Sequence, residues 1–156
     1  MKNNNKFRKK LHDKKDFPKI KTIPKKLNKS WGKGKFVMPS PLEVNMLMKK
    51  VPKGKLTTIN EIRKKLAKKY KTTTACPIVT GIFTWIAANA AKEDIQDGKK
   101  YINPYWRTLK SDGKIKEKYP GGIPFQKQKL INENHKIILK GKNYFVENFE
   151  NKLAKL

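Results

Sequence analysis

The chain has 156 residues, a length that fits one domain with tails, and it carries 39 lysines and arginines against 12 acidic residues, a formal net charge of +27. Such an excess attracts polyanions, so nucleic acid is the first candidate partner and an anionic membrane surface the second. One cysteine and two histidines exclude an intramolecular disulfide and a zinc site, and we expect neither metal nor cofactor.

No apolar run approaches the ~20 residues that span a bilayer, and the N-terminus lacks the apolar region of a signal peptide. We therefore expect a cytoplasmic, bacterial-type protein outside the membrane, with association with the nucleoid as an option. Lysine supplies 36 of the 39 basic residues. With its frequent Asn and Ile, this composition also fits an AT-rich genome, which is an alternative source of part of the charge.

Residues 1–35 predict a basic, disordered tail with 14 lysines and arginines against two aspartates. Its apolar residues follow no sustained helical or strand period, and Pro18 and Pro24 interrupt them. Too little apolar surface repeats on one face to offset the entropy of ordering. Two interpretations stay open, a nucleic-acid-binding arm and a solvated tail.

Two helices are predicted next along the chain. SPLEVNMLMKKV has Ser40 as a candidate N-cap and Pro41 at the first helical position. TTINEIRKKLAKKY has Thr57 or Thr58 as its cap and Glu61 three residues on, the pattern of a capping box. The apolar stripe of this second helix consists of Ile59, Ile62, Leu66 and Tyr70.

A third helix follows in TTTACPIVTGIFTWIAANAA, with Pro77 in its first turn. A helical spacing of 3.6 residues relates Ile78, Ile82, Trp85, Ile86 and Asn89. Two helices joined by a short polar turn predict a helix-turn-helix. No basic residue occurs from Ala75 through Ala91, which is unusual for a helix that reads the major groove.

The rest of the chain alternates between irregular and regular segments. Residues 92–122 are predicted to be irregular, and Pro124 to Asn134 a short helix. HKIILKGKNYFVENF alternates around Lys140-Gly141-Lys142 and predicts a β-hairpin. The sequence therefore predicts a mainly α fold with a small β component and a winged-helix-like helix-turn-helix.

Several segments occur in a fixed order: VPKGKLTTINEI, the small-residue helix ending at Asn89, NPYWRTLKSDGKI, KYPGG and QKLINENH. Together they resemble the DNA-binding domain of the alkylguanine-DNA alkyltransferases, which are methylated-DNA–protein-cysteine methyltransferases. In character the chain is most similar to their non-catalytic relatives, the alkyltransferase-like proteins. The resemblance implies a DNA-binding domain over residues 36–138, with a C-terminal hairpin or helix extension over 139–156.

The resemblance implies binding in the minor groove of double-stranded DNA and extrusion of a damaged guanine. In the enzymes, the cysteine of a P-C-H-R-V loop then accepts the alkyl group. Here the loop reads Pro104-Tyr105-Trp106-Arg107, so Tyr105 replaces the cysteine and Trp106 the histidine, while Glu133 matches the glutamate of the proton relay. A phenol with a pKa near ~10 is a poor nucleophile at neutral pH. We therefore expect no alkyl transfer through this loop.

The resemblance also implies a lesion pocket, lined by Tyr105, Asn89, Tyr119, Gly121 and Gly122, in which Tyr105 stacks on an extruded base. The alternative is that Tyr105 and Trp106 fill a small core. We further predict DNA contacts from Lys53, Lys55, Thr57, Thr58, Lys71, Thr72, Thr73, Thr74 and Thr80.

Three family features are replaced. The arginine that fills the gap left by the flipped base falls at Cys76 or Thr80, depending on the register. The tyrosine that rotates a phosphate falls at Ile59, and a serine that contacts the lesion falls at Pro120. The scaffold is thus more recognisable than the groups that flip a base and accept its alkyl group.

Three hypotheses of function remain. The first is a lesion-binding protein of the alkyltransferase-like type that supports DNA repair, acts as a monomer and passes the lesion to an excision-repair protein. The second is a general DNA- or RNA-binding module on the same scaffold. The third is an alkyl-acceptor enzyme that uses Cys76, activated by its position beside a helix start.

Overall fold

The computed structural model describes residues 5–13 and 16–156, and it confirms a mainly α fold with a small β component. The helices are α1 (Lys6–Leu11), α2 (Asn28–Trp31), α3 (Pro41–Lys49), α4 (Ile59–Tyr70), α5 (Pro77–Gln96) and α6 (Gly122–Asn132). The strands are β1 (Lys19–Thr22), β2 (Lys35–Met38), β3 (Thr57–Thr58), β4 (Thr74–Ala75), β5 (Thr108–Leu109), β6 (Ile137–Lys140) and β7 (Asn143–Val146). None of the helices in this described part is long and apolar enough to cross a membrane.

The two helices for which a helix-turn-helix is predicted are α4 and α5. The hydroxyl of Thr58 caps α4 by accepting from the backbone N–H of Glu61 at 3.2 Å. Helix α4 ends where Lys71 takes a left-handed conformation, with φ of 55°. The chain then passes through β4 to Pro77, which occupies the first position of α5 because it needs no N–H partner there.

Helix α5 is the centre of the fold and is longer than predicted, since it continues to Gln96 instead of becoming irregular at residue 92. Its second half is rich in alanine, and Ala87, Ala88 and Ala91 are buried against neighbouring helices. Side chains of one carbon let neighbouring helices approach closely, and α1, α3 and α4 all pack against α5. The core is completed by Val44 and Met48 of α3.

The prediction that residues 1–35 are a disordered tail is wrong for the part of that segment the structure describes, 5–13 and 16–35. Strand β1 pairs antiparallel with β2, and β2 pairs in parallel with β4, which ties this segment to the helix-turn-helix. The buried Glu93 accepts hydrogen bonds from the backbone N–H groups of Phe7 and Arg8 at 2.9 and 3.0 Å. These partners lie far away in sequence, so no local period could reveal them. The same prediction for residues 1–4, 14 and 15 lies outside the described residues.

The C-terminal elements agree with the sequence. Helix α6 lies where a short helix was predicted, and β6 and β7 form the predicted antiparallel hairpin around Gly141. This hairpin is joined to the loop after β5, because the N–H of Ile115 donates to the Tyr144 carbonyl oxygen at 2.9 Å. That the hairpin serves as a wing stays a prediction.

Candidate nucleic-acid interface

The predicted acceptor loop is a 3-10 turn, Tyr105–Arg107, that leads into β5. Strand β5 pairs in parallel with β3, with Thr57 opposite Thr108, and this fixes the turn beside the start of α4. Tyr105 and Trp106 are only 2% and 7% exposed. The turn therefore directs both aromatic side chains into the core.

Tyr105 lies in an aromatic cluster. Its ring stacks on Phe125 with centroids 5.9 Å apart and meets Tyr119 edge-on at 5.7 Å. Its hydroxyl donates to the carbonyl oxygen of Pro120 at 3.1 Å. Burial raises the pKa of Tyr105 to about 12, so the phenol stays protonated at neutral pH. The structure thus favours the core interpretation of Tyr105 over the base-stacking one.

The residues predicted to line a lesion pocket with Tyr105 are in part brought together, but the space between them is filled. Tyr119 is buried, and Phe125 lies against Gly121, where an added Cβ would be 2.5 Å from the Phe125 Cβ. Gly122, with φ of 63°, begins α6. A base could enter here only if Phe125 moved away.

The remaining pocket residue, Asn89, is used within its own helix. Its side-chain amide donates to the Trp85 carbonyl oxygen one turn earlier, at 2.9 Å. This hydrogen bond of the Asn89 side chain lies within α5, and it does not direct the amide toward a base pocket.

Glu133 joins the loop to the end of α6. The indole N–H of Trp106 donates to one of its oxygens at 2.9 Å, and Arg107 donates to both oxygens at 2.8 Å. Burial by itself would raise the pKa of Glu133, but the hydrogen bonds from Arg107 and Trp106 outweigh it, and the pKa lies below its ordinary value. The predicted relay residue is thus a charged carboxylate whose two oxygens bind the loop.

Cys76 is buried in a second apolar cluster, with Ile23 and Phe36. Its backbone N–H donates to the carbonyl oxygen of Val37 at 2.9 Å, which holds it under the N-terminal segment. A thiol enclosed in this way is inaccessible to a DNA lesion and fits the role of a small packing residue.

Three of the residues predicted to contact DNA have buried side chains. Thr57 lies in β3, the hydroxyl of Thr58 caps α4, and Thr80 lies on the inner side of α5. Lys53, Lys55 and the set at the turn stay predictions, since Lys53, Lys55 and Lys71 are exposed.

The threonines of the turn between α4 and α5 are engaged in its structure. Thr73 donates its hydroxyl to the Lys33 carbonyl oxygen at 2.7 Å, and Thr72 donates to the Thr74 carbonyl oxygen at 3.1 Å. The hydroxyl of Thr74 accepts from Arg63 at 3.0 Å. These hydroxyls shape the turn, which leaves the exposed Thr73 as the most accessible of the three.

The outer face of α5 forms an apolar groove of about 690 Å³ that the sequence did not predict. We call it the α5 groove, and it is lined by Ile78, Gly81, Ile82, Trp85, Lys116 and Lys118. Ile78 and Ile82 are 65% and 49% exposed, although apolar residues at helical spacing typically form the side of a helix that faces the core. The sequence does contain one signal of this groove. Helix α5 is apolar on more than one face, its alanine-rich face packs closely against the neighbouring helices, and another apolar face is therefore left exposed.

Lys116 is held at the edge of the α5 groove. Its ammonium group donates to the Gly81 carbonyl oxygen at 3.2 Å and to the Thr84 hydroxyl at 3.4 Å. Burial, with smaller contributions from the charges of Lys110 and Lys118, lowers the pKa of Lys116 to about 8. At neutral pH the groove therefore has a fixed positive charge on one rim.

Helix α1 contacts one of the residues that line the groove, Trp85. The ring of Phe7 meets Trp85 edge-on, with centroids 5.2 Å apart. The ammonium groups of Lys6 and Lys10 lie 5.5 and 5.4 Å from the centroid of Phe7. The groove itself is lined by two lysines, Lys116 and Lys118, and by no acidic residue.

No protein-family model and no curated protein matches the chain. Two solved structures are similar to it: S. pombe Atl1 in complex with damaged DNA containing O6-carboxymethylguanine, with a TM-score of 0.53, and S. pombe ATL in complex with DNA, with a TM-score of 0.50. Each is 20% identical and aligned over 74% of this chain and 94% of its own. The resemblance to the alkyltransferase-like proteins that the sequence motifs predict is therefore confirmed at the level of the fold.

Proposed function

We propose that this protein is a non-catalytic, double-stranded-DNA-binding protein of the alkyltransferase-like type, and that the α5 groove is its contact with the duplex. The observation that carries this proposal is an exposed apolar face on the second helix of a helix-turn-helix, bordered by lysines and lined by no acidic residue. Lysines at such a surface neutralise phosphates and release counterions, which gives affinity that falls with salt. In this proposal the protein acts in the cytoplasm as a monomer.

The burial of both candidate nucleophiles supports the non-catalytic part of the proposal. The phenol of Tyr105 is protonated, with its hydroxyl engaged at Pro120. The thiol of Cys76 lies inside an apolar cluster. Alkyl transfer needs an accessible, deprotonated acceptor, and neither side chain offers one.

Recognition of an alkylated guanine is a second candidate function. The observation that favours it is the fold shared with Atl1, which was solved in complex with damaged DNA. It requires the aromatic cluster around Tyr105 to open, since Phe125 now stacks on the ring that would receive the base. In this second candidate, a bound lesion would be passed to an excision-repair protein.

Binding to two duplexes that differ only in one alkylated guanine tests both candidates. We expect affinity for each duplex to fall steeply with salt and to weaken in the Lys116→Ala, Lys118→Ala variant. Lys142→Ala is the matched control, because Lys142 is an exposed lysine of the β6–β7 turn that does not line the α5 groove. A preference of about tenfold for the damaged duplex supports lesion recognition. Equal binding to both leaves general DNA binding, and no binding to either sinks the proposal.

A further inference from the structure

Residues 19–38 form a small folded unit near the start of the chain, which we call the N-terminal module. It consists of β1, a short 3-10 helix, α2 and β2. Its side chains Ile23 and Phe36 are buried with Cys76, and Val79 of α5 packs against them. The module therefore shares an apolar cluster with the first turn of α5.

The surface of the N-terminal module is strongly basic. No acidic residue occurs from Phe17 through Leu42. The exposed lysines of the module are Lys19, Lys21, Lys25, Lys26, Lys29, Lys33 and Lys35. Within the described residues, no ion pair uses any of these lysines. Their charges are therefore available to a polyanion.

Two hydrogen bonds and one close approach fix the N-terminal module to the turn between α4 and α5. The backbone N–H of Thr73 donates to the Lys35 carbonyl oxygen at 2.9 Å, and its hydroxyl donates to the Lys33 carbonyl oxygen at 2.7 Å. Gly34 has φ of 116°, and a Cβ added there would lie 2.5 Å from Oγ1 of Thr73. Glycine alone fits this position without strain. The main chain of Lys33 and Lys35 is therefore held at the turn that leads into α5.

The chemistry of the module favours phosphates over base edges and over a lipid surface. Lysine lacks the bidentate fork with which arginine reads guanine, and residues 19–38 contain no arginine. Binding to a lipid surface scales with the apolar area that enters it. Ile20 is the only exposed large apolar side chain among residues 19–38, all of which the structure describes. The backbone of a nucleic acid is therefore the partner that this surface fits.

We infer that the N-terminal module is a second phosphate-binding surface, which contacts the backbone of the duplex beside the segment that the α5 groove engages. This inference rests on the proposed function, because it takes α5 to be at the DNA. Val79, which packs against the module, directly follows Ile78 of the α5 groove in the first turn of α5. The two surfaces are therefore adjacent, and together they cover a longer piece of duplex than the groove alone.

The salt dependence of binding to duplexes of increasing length tests this inference. For the Lys29→Gln, Lys33→Gln, Lys35→Gln variant we expect the slope of log affinity against log salt to decrease by about 2–3, since each lost phosphate contact removes ~0.9. Affinity at about 0.1 M salt should fall at least tenfold. The shortest duplex that is bound with full affinity should also become shorter, because the variant contacts less of the backbone.

Lysine is frequent along the whole chain, so a variant with the same loss of charge is the matched control. Lys65→Gln, Lys68→Gln, Lys142→Gln removes three exposed lysines that neither belong to the module nor line the α5 groove. This control should require the same length of duplex as the wild type and keep most of its salt slope. Equal losses in the two triple variants would show an effect of net charge alone and contradict the module as a surface.

Gly34→Ala tests the placement of the lysines, because it keeps every charge. The added Cβ meets Thr73, so we expect the turn to leave its position and the salt slope to fall toward that of the module variant. Gly98→Ala is its control: Gly98 also has a positive φ, 73°, but an added Cβ meets nothing within 4 Å. Thermal unfolding verifies that each variant is folded. Wild-type binding by Gly34→Ala shows that the lysines act without a fixed position, and it overturns the inference.

Failure of this inference and failure of the proposed function give different results. A wild-type salt slope in the module variant contradicts the second surface and leaves the α5 groove as the contact. Affinity lost in the module variant but kept in Lys116→Ala, Lys118→Ala contradicts the groove and retains the module. Tighter binding to phosphatidylserine vesicles or to single-stranded RNA than to duplex, lost in the module variant, identifies a different partner and overturns the inference. Failure of the wild type to bind any duplex removes both proposals.

Discussion

The acceptor loop and the α5 groove differ in solvent exposure, and in each case the exposure is the opposite of what the sequence suggests. The loop has two aromatics and an arginine that resemble a binding site, yet it is closed and its polar groups are paired internally. The outer stripe of α5 has the spacing of a buried helix face, yet Ile78 and Ile82 are exposed. The difference shows that neighbouring elements, and not residue type, decide which surface is available.

The neighbouring residues that set the exposure can be identified for both the loop and α5. Around the loop, Glu133 accepts from Trp106 and Arg107, and Phe125 covers Tyr105. On α5, Phe7 of α1 packs against Trp85, whereas Ile78 and Ile82 remain exposed. Substitutions that remove a neighbour of the loop should therefore lower the free energy of unfolding. Substitutions that remove a neighbour of α5 should also change DNA affinity.

The largest expected effect is at Glu133. In Glu133→Ala, the charge of Arg107 and the indole N–H of Trp106 lose their buried partner, which should lower the free energy of unfolding by about 3–5 kcal/mol. Urea denaturation measures this change. Because Glu133 does not line the α5 groove, the contribution of Lys116 and Lys118 to DNA affinity should be unchanged in the folded fraction.

Glu117→Ala is the matched control for Glu133, since Glu117 is an exposed acid on the loop before α6. It should change stability by at most about 0.5 kcal/mol. Equal stability of Glu133→Ala and wild type would contradict a structural role for the loop and reopen a functional one.

The next effect is expected at the junction of α1 with α5. In Glu93→Ala, the backbone N–H groups of Phe7 and Arg8 lose their acceptor, and stability should fall by about 2–3 kcal/mol. If α1 detaches, Lys6 and Lys10 leave their positions beside Phe7, whose ring contacts Trp85 of the α5 groove, so the salt dependence of DNA binding should become shallower. Amide hydrogen exchange at α1, compared with α6, locates the change.

The sequence could predict the parts of this fold whose signals are local. The cap of α4 at Thr58, the proline that begins α5 and the hairpin around Gly141 all follow from neighbours a few residues away. The order of residues 16–35 depends on pairing of β1 with β2 and β4 instead. The openness of Ile78 depends on which elements fail to cover it, and no periodicity contains that information.

A smaller effect is expected at Tyr105. In Tyr105→Phe the ring contacts with Phe125 and Tyr119 are kept, and only the hydrogen bond to the Pro120 carbonyl oxygen is lost. Stability should fall by about 1 kcal/mol. If DNA affinity for an alkylated duplex fell more than about threefold while stability stayed within this range, Tyr105 would face a base after all.

The smallest expected effect is a pH dependence that comes from Lys116, and it concerns the open surface alone. Burial lowers the pKa of Lys116 to about 8, so the ammonium is charged at pH 7 and largely neutral at pH 9. Because phosphate binding requires the charge, DNA affinity should fall over this interval, and the salt slope should decrease by about one contact. Folding stability should change in the opposite direction: above about pH 8 the folded state no longer holds a buried charge, while the unfolded lysine stays protonated to about pH 10.4.

Lys116→Arg separates the charge of this residue from every other titration, since a guanidinium stays protonated throughout this range. Affinity of the arginine variant should be flat between pH 7 and 9, and that of the wild type should fall. If both fell in parallel, the loss would originate elsewhere on the surface and Lys116 would not contact phosphate. If only the affinity of the wild type falls, Lys116 contacts phosphate. The α5 groove, and not the closed acceptor loop, is then the surface that binds DNA.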